Sequence, residues 1–388
     1  MVSQTAPLAI SSLLSFRAGL PIVVLGLLLL GCGGNGSSTG SDWTIRGEGL
    51  TLTETLRAGD DKTFYFGEIH DVAVRGDGRM YVADGKASHV KVLSRNGMLQ
   101  DTLGRQGSQG PGAFERPSEV SFGHGDSLYV FDSYYSRLSV FAPNHAFSHR
   151  LSLRIKPEGK VPFIAPSNVL PRSTGPGFVA SFGVPPLPGG SAPSGRAVRR
   201  IDGDGSVGDT LLTTPEAQAY IERRDRSLTI YSIPFARAPT VRQGPADHVH
   251  YAWSDSLGVR TYSVDGTLRR TVNLPFEPVP VTEADRERKL SGRSKESRAA
   301  VEDKIPATKP AFEHFLVDDE GRYWFGRPTA NPDSTAWWVA WPEEERIVTT
   351  TLPSEVQLHE VTNGRAYGQT TTENGAPLLV RYRIRIDN

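Results

Sequence analysis

The 388-residue sequence has one cysteine, Cys32, and no excess of charge of either sign. A single cysteine excludes an intramolecular disulfide framework and a cluster of thiolate metal ligands. Lysine and arginine together number 43, and aspartate and glutamate together also number 43. This balance gives no sign of the basic surface that nucleic-acid binding requires, so we expect no nucleic-acid partner.

Short motifs of several enzyme classes are also missing from the sequence. It contains no Gly-x-Ser-x-Gly nucleophile elbow, no His-Glu-x-x-His zinc motif and no Gly-Lys-Ser/Thr phosphate-binding loop. Whether the protein is an enzyme therefore stays open at this point. By contrast, 40 glycines and 28 prolines indicate a chain with many turns rather than a helical one.

The N-terminal region predicts export. Residues 1–31 carry one charge and contain an apolar run from Leu20 to Leu30, which is short for a membrane span but fits a signal peptide. The run ends in Leu29-Leu30-Gly31-Cys32, which resembles the bacterial lipobox. The resemblance implies cleavage before Cys32 and a lipid on its thiol that anchors the chain to a membrane of the bacterial cell envelope. The alternative is an uncleaved N-terminal anchor.

The segment that follows Cys32 is rich in glycine and serine, so we expect residues 32–49 to form a flexible tether. The rest of the chain is repetitive. Ile69–Gly97 and Pro117–His145 both contain three alternating strands separated by Asp-Gly or Asn-Gly type turns, and a fourth strand follows each. Four-stranded units at a period of about 48 residues are typical of β-propeller blades.

Turns of the kind that join the first two strands of a blade occur six times. They are Asp77-Gly78, Gly125-Asp126, Thr174-Gly175, Gly244-Pro245, Glu320-Gly321 and Asn363-Gly364. The sixth unit lacks a fourth strand, and Leu50–Arg57 is a spare strand at the other end of the sequence. We therefore predict an all-β, six-bladed propeller over residues 50–388, closed by Leu50–Arg57 pairing with Leu378–Ile386.

Two other segments depart from the repeat. Pro185–Arg196 is a proline- and glycine-rich loop within the third blade. Residues 282–304 have helical composition with Thr282 as a plausible N-cap, and Gly292 breaks them into two helices between blades four and five.

Val72–Asp84 and its copy in the second unit resemble NHL repeats. Phe315–Trp324 resembles the "6-bladed β-propeller" lipoproteins of environmental bacteria. The resemblance implies the propeller fold. It does not select a function, because related propellers include sugar-lactone hydrolases, lyases and binding modules.

Candidate site residues gather at one face of the predicted ring. The first strand of each blade lines the central channel, and the channel mouth is a favoured position for ligands. Near the starts of these strands lie Asp71, Glu119, Asn168 and Glu355, with His70 and His314 close by, and Asp84 and Asp132 end second strands at the same face.

Oxygen ligands from several blades around one axis suit Ca²⁺. The alternative is that these acids accept hydrogen bonds at strand starts or pair with nearby arginines. Two functions follow from the two interpretations. One is an envelope-anchored propeller that binds a protein, peptide or glycan with its loop face. The other is a metal-dependent hydrolase or lyase whose metal ligands are Asp71, Glu119, Asn168 and Glu355, with His70 or His314 as general base.

Overall fold

The computed structural model describes residues 43–47, 49–60, 63–154, 166–183, 195–224 and 227–387. The predicted signal peptide, Cys32, most of the tether and nearly all of the Pro185–Arg196 loop lie outside the described residues. No helix within these ranges is long and apolar enough to cross a membrane.

The chain forms six four-stranded antiparallel blades, as predicted. Two strands precede them, β1 (Thr44–Arg46) and β2 (Leu50–Ala58). Blade one contains β3 (Ile69–Val74), β4 (Met80–Asp84), β5 (His89–Leu93) and β6 (Leu99–Leu103). A short parallel pair follows, β7 (Arg105–Gln106) and β8 (Ala113–Phe114). Blade two contains β9 (Pro117–Phe122), β10 (Leu128–Asp132), β11 (Arg137–Phe141) and β12 (Phe147–Ser152).

The next two blades follow the same plan, with a hairpin between them. Blade three contains β13 (Pro166–Pro171), β14 (Phe178–Gly183), β15 (Arg196–Ile201) and β16 (Val207–Thr214). The hairpin consists of β17 (Ala219–Arg224) and β18 (Ser227–Ser232). Blade four contains β19 (Pro239–Gln243), β20 (Val249–Trp253), β21 (Leu257–Tyr262) and β22 (Leu268–Leu274).

Two short helices, α1 (Glu283–Leu290) and α2 (Lys295–Val301), separate blades four and five. Blade five contains β23 (His314–Val317), β24 (Tyr323–Pro328), β25 (Ser334–Trp341) and β26 (Arg346–Pro353). Blade six contains β27 (Gln357–Thr362), β28 (Arg365–Thr371) and β29 (Pro377–Ile386).

The N-terminal strand closes the ring. β2 pairs antiparallel with β29, from Leu50 opposite Ile386 to Ala58 opposite Leu379, and so becomes the fourth strand of blade six. This confirms the predicted closure. β1 adds a parallel fifth strand at the edge of blade five, beside β26, which the repeat pattern did not predict. Both pairings cover strand edges that would otherwise be exposed.

The six predicted turns all lie between the first and second strands of their blades. Gly78 shows why glycine is needed there, because its φ of 86° lies in the left-handed region that side chains disfavour. Between neighbouring blades, apolar residues from facing sheets pack into separate clusters. Trp324 and Trp337, for example, are fully buried in the cluster shared by blades five and six.

The helical insertion has the predicted boundaries and break. Thr282 caps α1 through a capping box with Asp285, and Gly292 in the turn before α2 has a φ of 77°. Leu290 and Val301 pack with Tyr220 and Tyr231 of the β17–β18 hairpin. The sequence pattern did not predict this hairpin, so the insertion packs against a neighbour that the repeat analysis missed.

One strand assignment was wrong. Glu355 was expected near the start of the inner strand of blade six, because Pro353-Ser-Glu-Val356 has the same sequence as Pro117-Ser-Glu-Val120. Instead Pro353 ends β26, and the inner strand β27 begins at Gln357. Side-chain alternation depends on register, so this displacement changes which residues face the channel.

Candidate functional site: the central cavity

The first strands of all six blades surround a cavity of about 480 Å³. Its wall is mostly polar near the starts of these strands and mostly apolar near their ends, although Arg242 and Gln243 are polar residues at the end of β19. The polar lining residues are His70, Asp71, Ser118, Glu119, Ser121, Asn168, Arg242, Gln243, His314, Gln357, His359 and Glu360. The apolar end includes Val74, Phe122, Pro171, Val317 and Val361. We call the face at which the inner strands begin the loop face.

Carboxylates in the cavity wall join one blade to the next. Asp71 Oδ2 of blade one accepts a hydrogen bond of 3.0 Å from the backbone N–H of Val120 in blade two. Glu119 Oε2 of blade two accepts one of 2.7 Å from Val169 in blade three. These contacts agree with the alternative interpretation of the acids as hydrogen-bond acceptors at the inner strands.

The same arrangement continues around the ring with other side chains. Glu360 Oε2 accepts a hydrogen bond of 2.6 Å from the backbone N–H of Val74, which links blade six to blade one. Asn168 Nδ2 donates to the carbonyl of Val241 at 3.4 Å, and Arg242 Nε donates to the carbonyl of Phe315 at 3.0 Å. Five of the six blade junctions therefore carry a side-chain-to-backbone hydrogen bond between inner strands within the described residues. At the sixth, Asp319 in a turn of blade five accepts a hydrogen bond of 2.8 Å from the backbone N–H of Asn363 in a turn of blade six.

Two of these carboxyls are protonated at neutral pH. Burial raises the pKa of Glu119 to about 8, and the nearby Asp71 carboxylate acts in the same direction. Burial likewise raises the pKa of Glu360 to about 8. Both carboxyls border the cavity, so a proton on either one can be donated to a group inside it.

His359 faces the carboxylate of Asp71 in the cavity wall. Its Nδ1 atom lies 3.4 Å from Asp71 Oδ1, and its side chain is 6% exposed. Its Nε2 atom is buried and has no hydrogen-bond partner within the described part of the chain. Asp71 therefore has two roles, because it binds a backbone N–H of blade two and faces an imidazole of blade six.

The two histidines that the sequence suggested as general bases are constrained. His70 Nδ1 donates to the carbonyl of Pro117 at 3.0 Å, and its Nε2 lies 3.1 Å from Glu68. The His314 ring stacks on Trp337 with centroids 6.0 Å apart. Burial lowers the pKa of His314 to about 4, which makes it a weak base at neutral pH.

Asp84 and Asp132 lie at the ends of second strands as expected, but they are buried and already have partners. Asp84 accepts hydrogen bonds from the backbone of Gly67 and Glu68 and pairs with Lys91 at 2.6 Å. Asp132 accepts equivalent bonds from Glu115 and Arg116 and pairs with Arg137 at 3.0 Å. Their carboxylates fasten the chain that leads into the inner strand, so they do not form part of an open ligand-binding surface.

Glu355 does not reach the cavity. It is exposed in the turn between β26 and β27, because the inner strand begins after it. The residue equivalent to Glu119 in blade six is Glu360. His359-Glu360-Val361 corresponds to His70-Asp71-Val72 and Ser118-Glu119-Val120, and this three-residue pattern is the sequence signal that could have identified it.

The cavity does not fit a calcium ion in this arrangement. Among the residues that the structure describes, no three His, Cys, Asp or Glu side chains converge as metal ligands. Asp71 and Glu119 each use one oxygen on a backbone N–H, and Glu355 lies elsewhere. We therefore derive no step through a metal.

Comparison with solved structures shows the fold class. A Bacteroides fragilis protein described as exported is 11% identical, with a TM-score of 0.55 over 87% of this chain and 96% of that chain. A Bacteroides vulgatus protein of the DUF4221 family is 11% identical, with a TM-score of 0.50 over 88% and 100%. A Xanthomonas campestris gluconolactonase is 12% identical, with a TM-score of 0.43 over 81% and 85%.

Identities this low show a shared fold and nothing about activity. No family model matches the sequence. No curated protein matches it either. The class that the fold defines is the six-bladed β-propeller, and the comparisons place the chain in no narrower group.

Proposed function

We propose that this protein is an envelope-anchored propeller that binds a protein, peptide or glycan ligand with its loop face. The observation that supports this most directly is a pair of exposed tyrosines on that face. Tyr65 is 77% exposed in the segment before β3, and Tyr134 is 64% exposed in the loop between β10 and β11. Exposed aromatic rings provide stacking surfaces for sugars and peptides.

The groups around the tyrosines suit a polar ligand. The ring of Tyr134 packs edge-on against Tyr135 at 4.9 Å, and Arg137 lies over Tyr135 at 4.1 Å. Arg116 and Glu68, which lie 3.4 Å apart, are partly exposed on the same face. Tyrosine and arginine side chains are enriched in recognition sites relative to the rest of a protein surface.

Binding to glycan and peptide arrays tests the proposal. We expect Tyr65→Ala/Tyr134→Ala to weaken binding by at least about tenfold, because two anchoring rings are removed. The matched control is Met98→Ala/Leu268→Ala, which removes two side chains of 70% and 51% exposure at the opposite face, one in the β5–β6 turn and one at the start of β22. Unchanged binding by the tyrosine variant, or an equal loss in the control, would refute the loop-face proposal.

The proposed anchor is the lipid on Cys32, and export through the signal peptide would place the propeller in the cell envelope. Support for the anchor comes from the sequence, since Cys32 lies outside the described residues. Metabolic labelling with a fatty-acid analogue should label the wild-type chain and not Cys32→Ser. Equal labelling of both chains, or labelling of neither, would contradict lipid anchoring.

A further inference from the structure

We propose that the central cavity binds a small hydroxy acid, with the ligand's carboxylate on Arg242 and its hydroxyl groups at the wall formed by Asp71. This site is separate from the tyrosines of the loop face and does not depend on them. Arg242 is a half-buried cation in the wall of the cavity.

The charge of Arg242 is not neutralised by the protein. Its Nε atom donates to the carbonyl of Phe315 and its Nη1 atom to the carbonyl of Val241, while Nη2 has no hydrogen-bond partner among the described residues. No carboxylate of the described chain lies within ion-pair distance of it. A half-buried guanidinium without an anionic partner can bind the carboxylate of a ligand through a bidentate or charge-assisted hydrogen bond.

The groups beside Arg242 are neutral and polar. Asn168 in the adjoining blade three lines the cavity, and its amide can bond to a ligand oxygen. Gln243, the next residue after Arg242, also lines the cavity. Glu119 in blade two and Glu360 in blade six flank blade one instead, and both are protonated at neutral pH, so neither adds a negative charge that would repel an anion. The part of the wall near Arg242 therefore presents one positive charge and neutral polar groups.

The wall opposite Arg242 favours a different ligand group. Blades one and four face each other across a ring of six, so Asp71 lies across the cavity from Arg242. Its carboxylate is partly exposed and faces His359. A second anionic group there would be repelled, whereas a hydroxyl can donate to the carboxylate. A carboxylate at one end and hydroxyls at the other define a monoanionic hydroxy acid, and a uronic acid is the simplest probe with both.

Calorimetric titration of the full chain with D-galacturonate and with D-galactose tests the assignment. The two sugars differ only in whether a carboxylate or a hydroxymethyl group is present. We expect galacturonate to bind and galactose to bind at least about tenfold more weakly, because the charge-assisted bond to Arg242 is lost. Equal binding of both sugars, or no binding of galacturonate at millimolar concentration, would overturn the proposal.

A variant pair identifies the residue responsible. Arg242→Gln should reduce galacturonate affinity by at least about tenfold, whereas Arg260→Gln, which removes an exposed arginine of the same blade, should leave it unchanged. Undiminished binding by Arg242→Gln would overturn the assignment. If Arg242→Gln fails to fold, the comparison of the two sugars on the wild-type chain still decides the question.

Discussion

Glu119 reaches from blade two to the backbone N–H of Val169 in blade three, 2.7 Å away, and it does so from inside the ring. This contact places a carboxyl where burial raises its pKa to about 8. Glu119 therefore links two blades and also presents a protonated carboxyl group to the cavity.

The raised pKa of Glu119 predicts a pH dependence of stability. In the unfolded chain this carboxyl loses its proton near the ordinary pKa of 4.5, whereas the folded chain retains it to about 8. The folded state binds more protons in that interval, so the contribution is fully present below 4.5 and is lost as pH rises through about 8. Glu119→Gln should therefore raise the melting temperature above pH 8 relative to wild type and have little effect near pH 4.5.

The control for this experiment is Glu355→Gln, since Glu355 is exposed outside the cavity. Its melting curve should run parallel to that of the wild type at every pH. If Glu119→Gln also gives a parallel curve, the carboxyl is ionised in the folded protein and cannot donate a proton to a ligand.

Asp84 should be among the most important polar residues for stability. It is fully buried, accepts three backbone hydrogen bonds and pairs with Lys91 at 2.6 Å. Asp84→Ala leaves a buried ammonium and several N–H groups without partners, so we expect a loss of about 3–5 kcal/mol in the free energy of unfolding. Denaturant unfolding measures this loss in the free energy of unfolding. The control, Asp77→Ala in an exposed turn, should cost less than about 1 kcal/mol, and a similar cost for both would contradict the role of Asp84.

The helical insertion is fastened by a buried ion pair. Lys309 Nζ donates to Asp285 Oδ1 at 2.9 Å and to the carbonyl of Thr329 at 3.0 Å, and both charged side chains are about 5% exposed. Lys309→Ala should increase hydrogen exchange across Glu283–Val301, because Asp285 loses its only cationic partner among the described residues. Lys295→Ala, at an exposed position of α2, should leave hydrogen exchange unchanged. Exchange that is unchanged in Lys309→Ala would show that apolar packing alone holds the insertion.

Metal removal should have no effect on the propeller. Asp71 and Glu119 are occupied by backbone N–H groups, and the described residues do not form a three-ligand cluster. We expect the melting temperature to be the same with and without a chelator, and elemental analysis of protein purified without chelator to find no stoichiometric calcium. A fall in melting temperature that added Ca²⁺ reverses would restore the metal-dependent alternative.

Much of the fold could be predicted because its signals are local. The dipeptides Asp77-Gly78 and Asn363-Gly364 require backbone conformations that fit tight turns, and six such turns with one spare strand specify a closed ring. The identical tetrapeptides that begin at Pro117 and Pro353 suggest the wrong start for the inner strand of blade six. Local identity does not fix register, and only the pairing of β27 with β28 shows that His359 and Glu360 line the cavity.

The cavity chemistry was predictable only in part. Asp71, Glu119, Asn168 and His314 were expected at the inner strands and do line the cavity. Arg242 was missed because its strand in blade four matches the repeat poorly. The sequence could not distinguish hydrogen bonding between blades from metal binding, because each role needs carboxylates at the same positions.

The cavity exists only if the ring is closed, since closure brings Asp71 of blade one beside His359 of blade six. Thr53 and Arg383 are exposed and directly opposite each other on β2 and β29. Opposed residues of antiparallel strands have Cα atoms about 4.5–5.5 Å apart, which suits a disulfide. In a Cys32→Ser background, Thr53→Cys/Arg383→Cys should therefore form an intramolecular disulfide under mild oxidation, detected by mass spectrometry of the peptides.

The matched control pairs Thr53→Cys with Arg365→Cys, one strand further away on β28. Two strand spacings separate these positions by about 10 Å, which is too far for a disulfide. We expect a crosslink in the first variant and none in the second. Absence of the crosslink between positions 53 and 383 in the folded protein would contradict the closed ring, and with it the cavity that the six inner strands enclose.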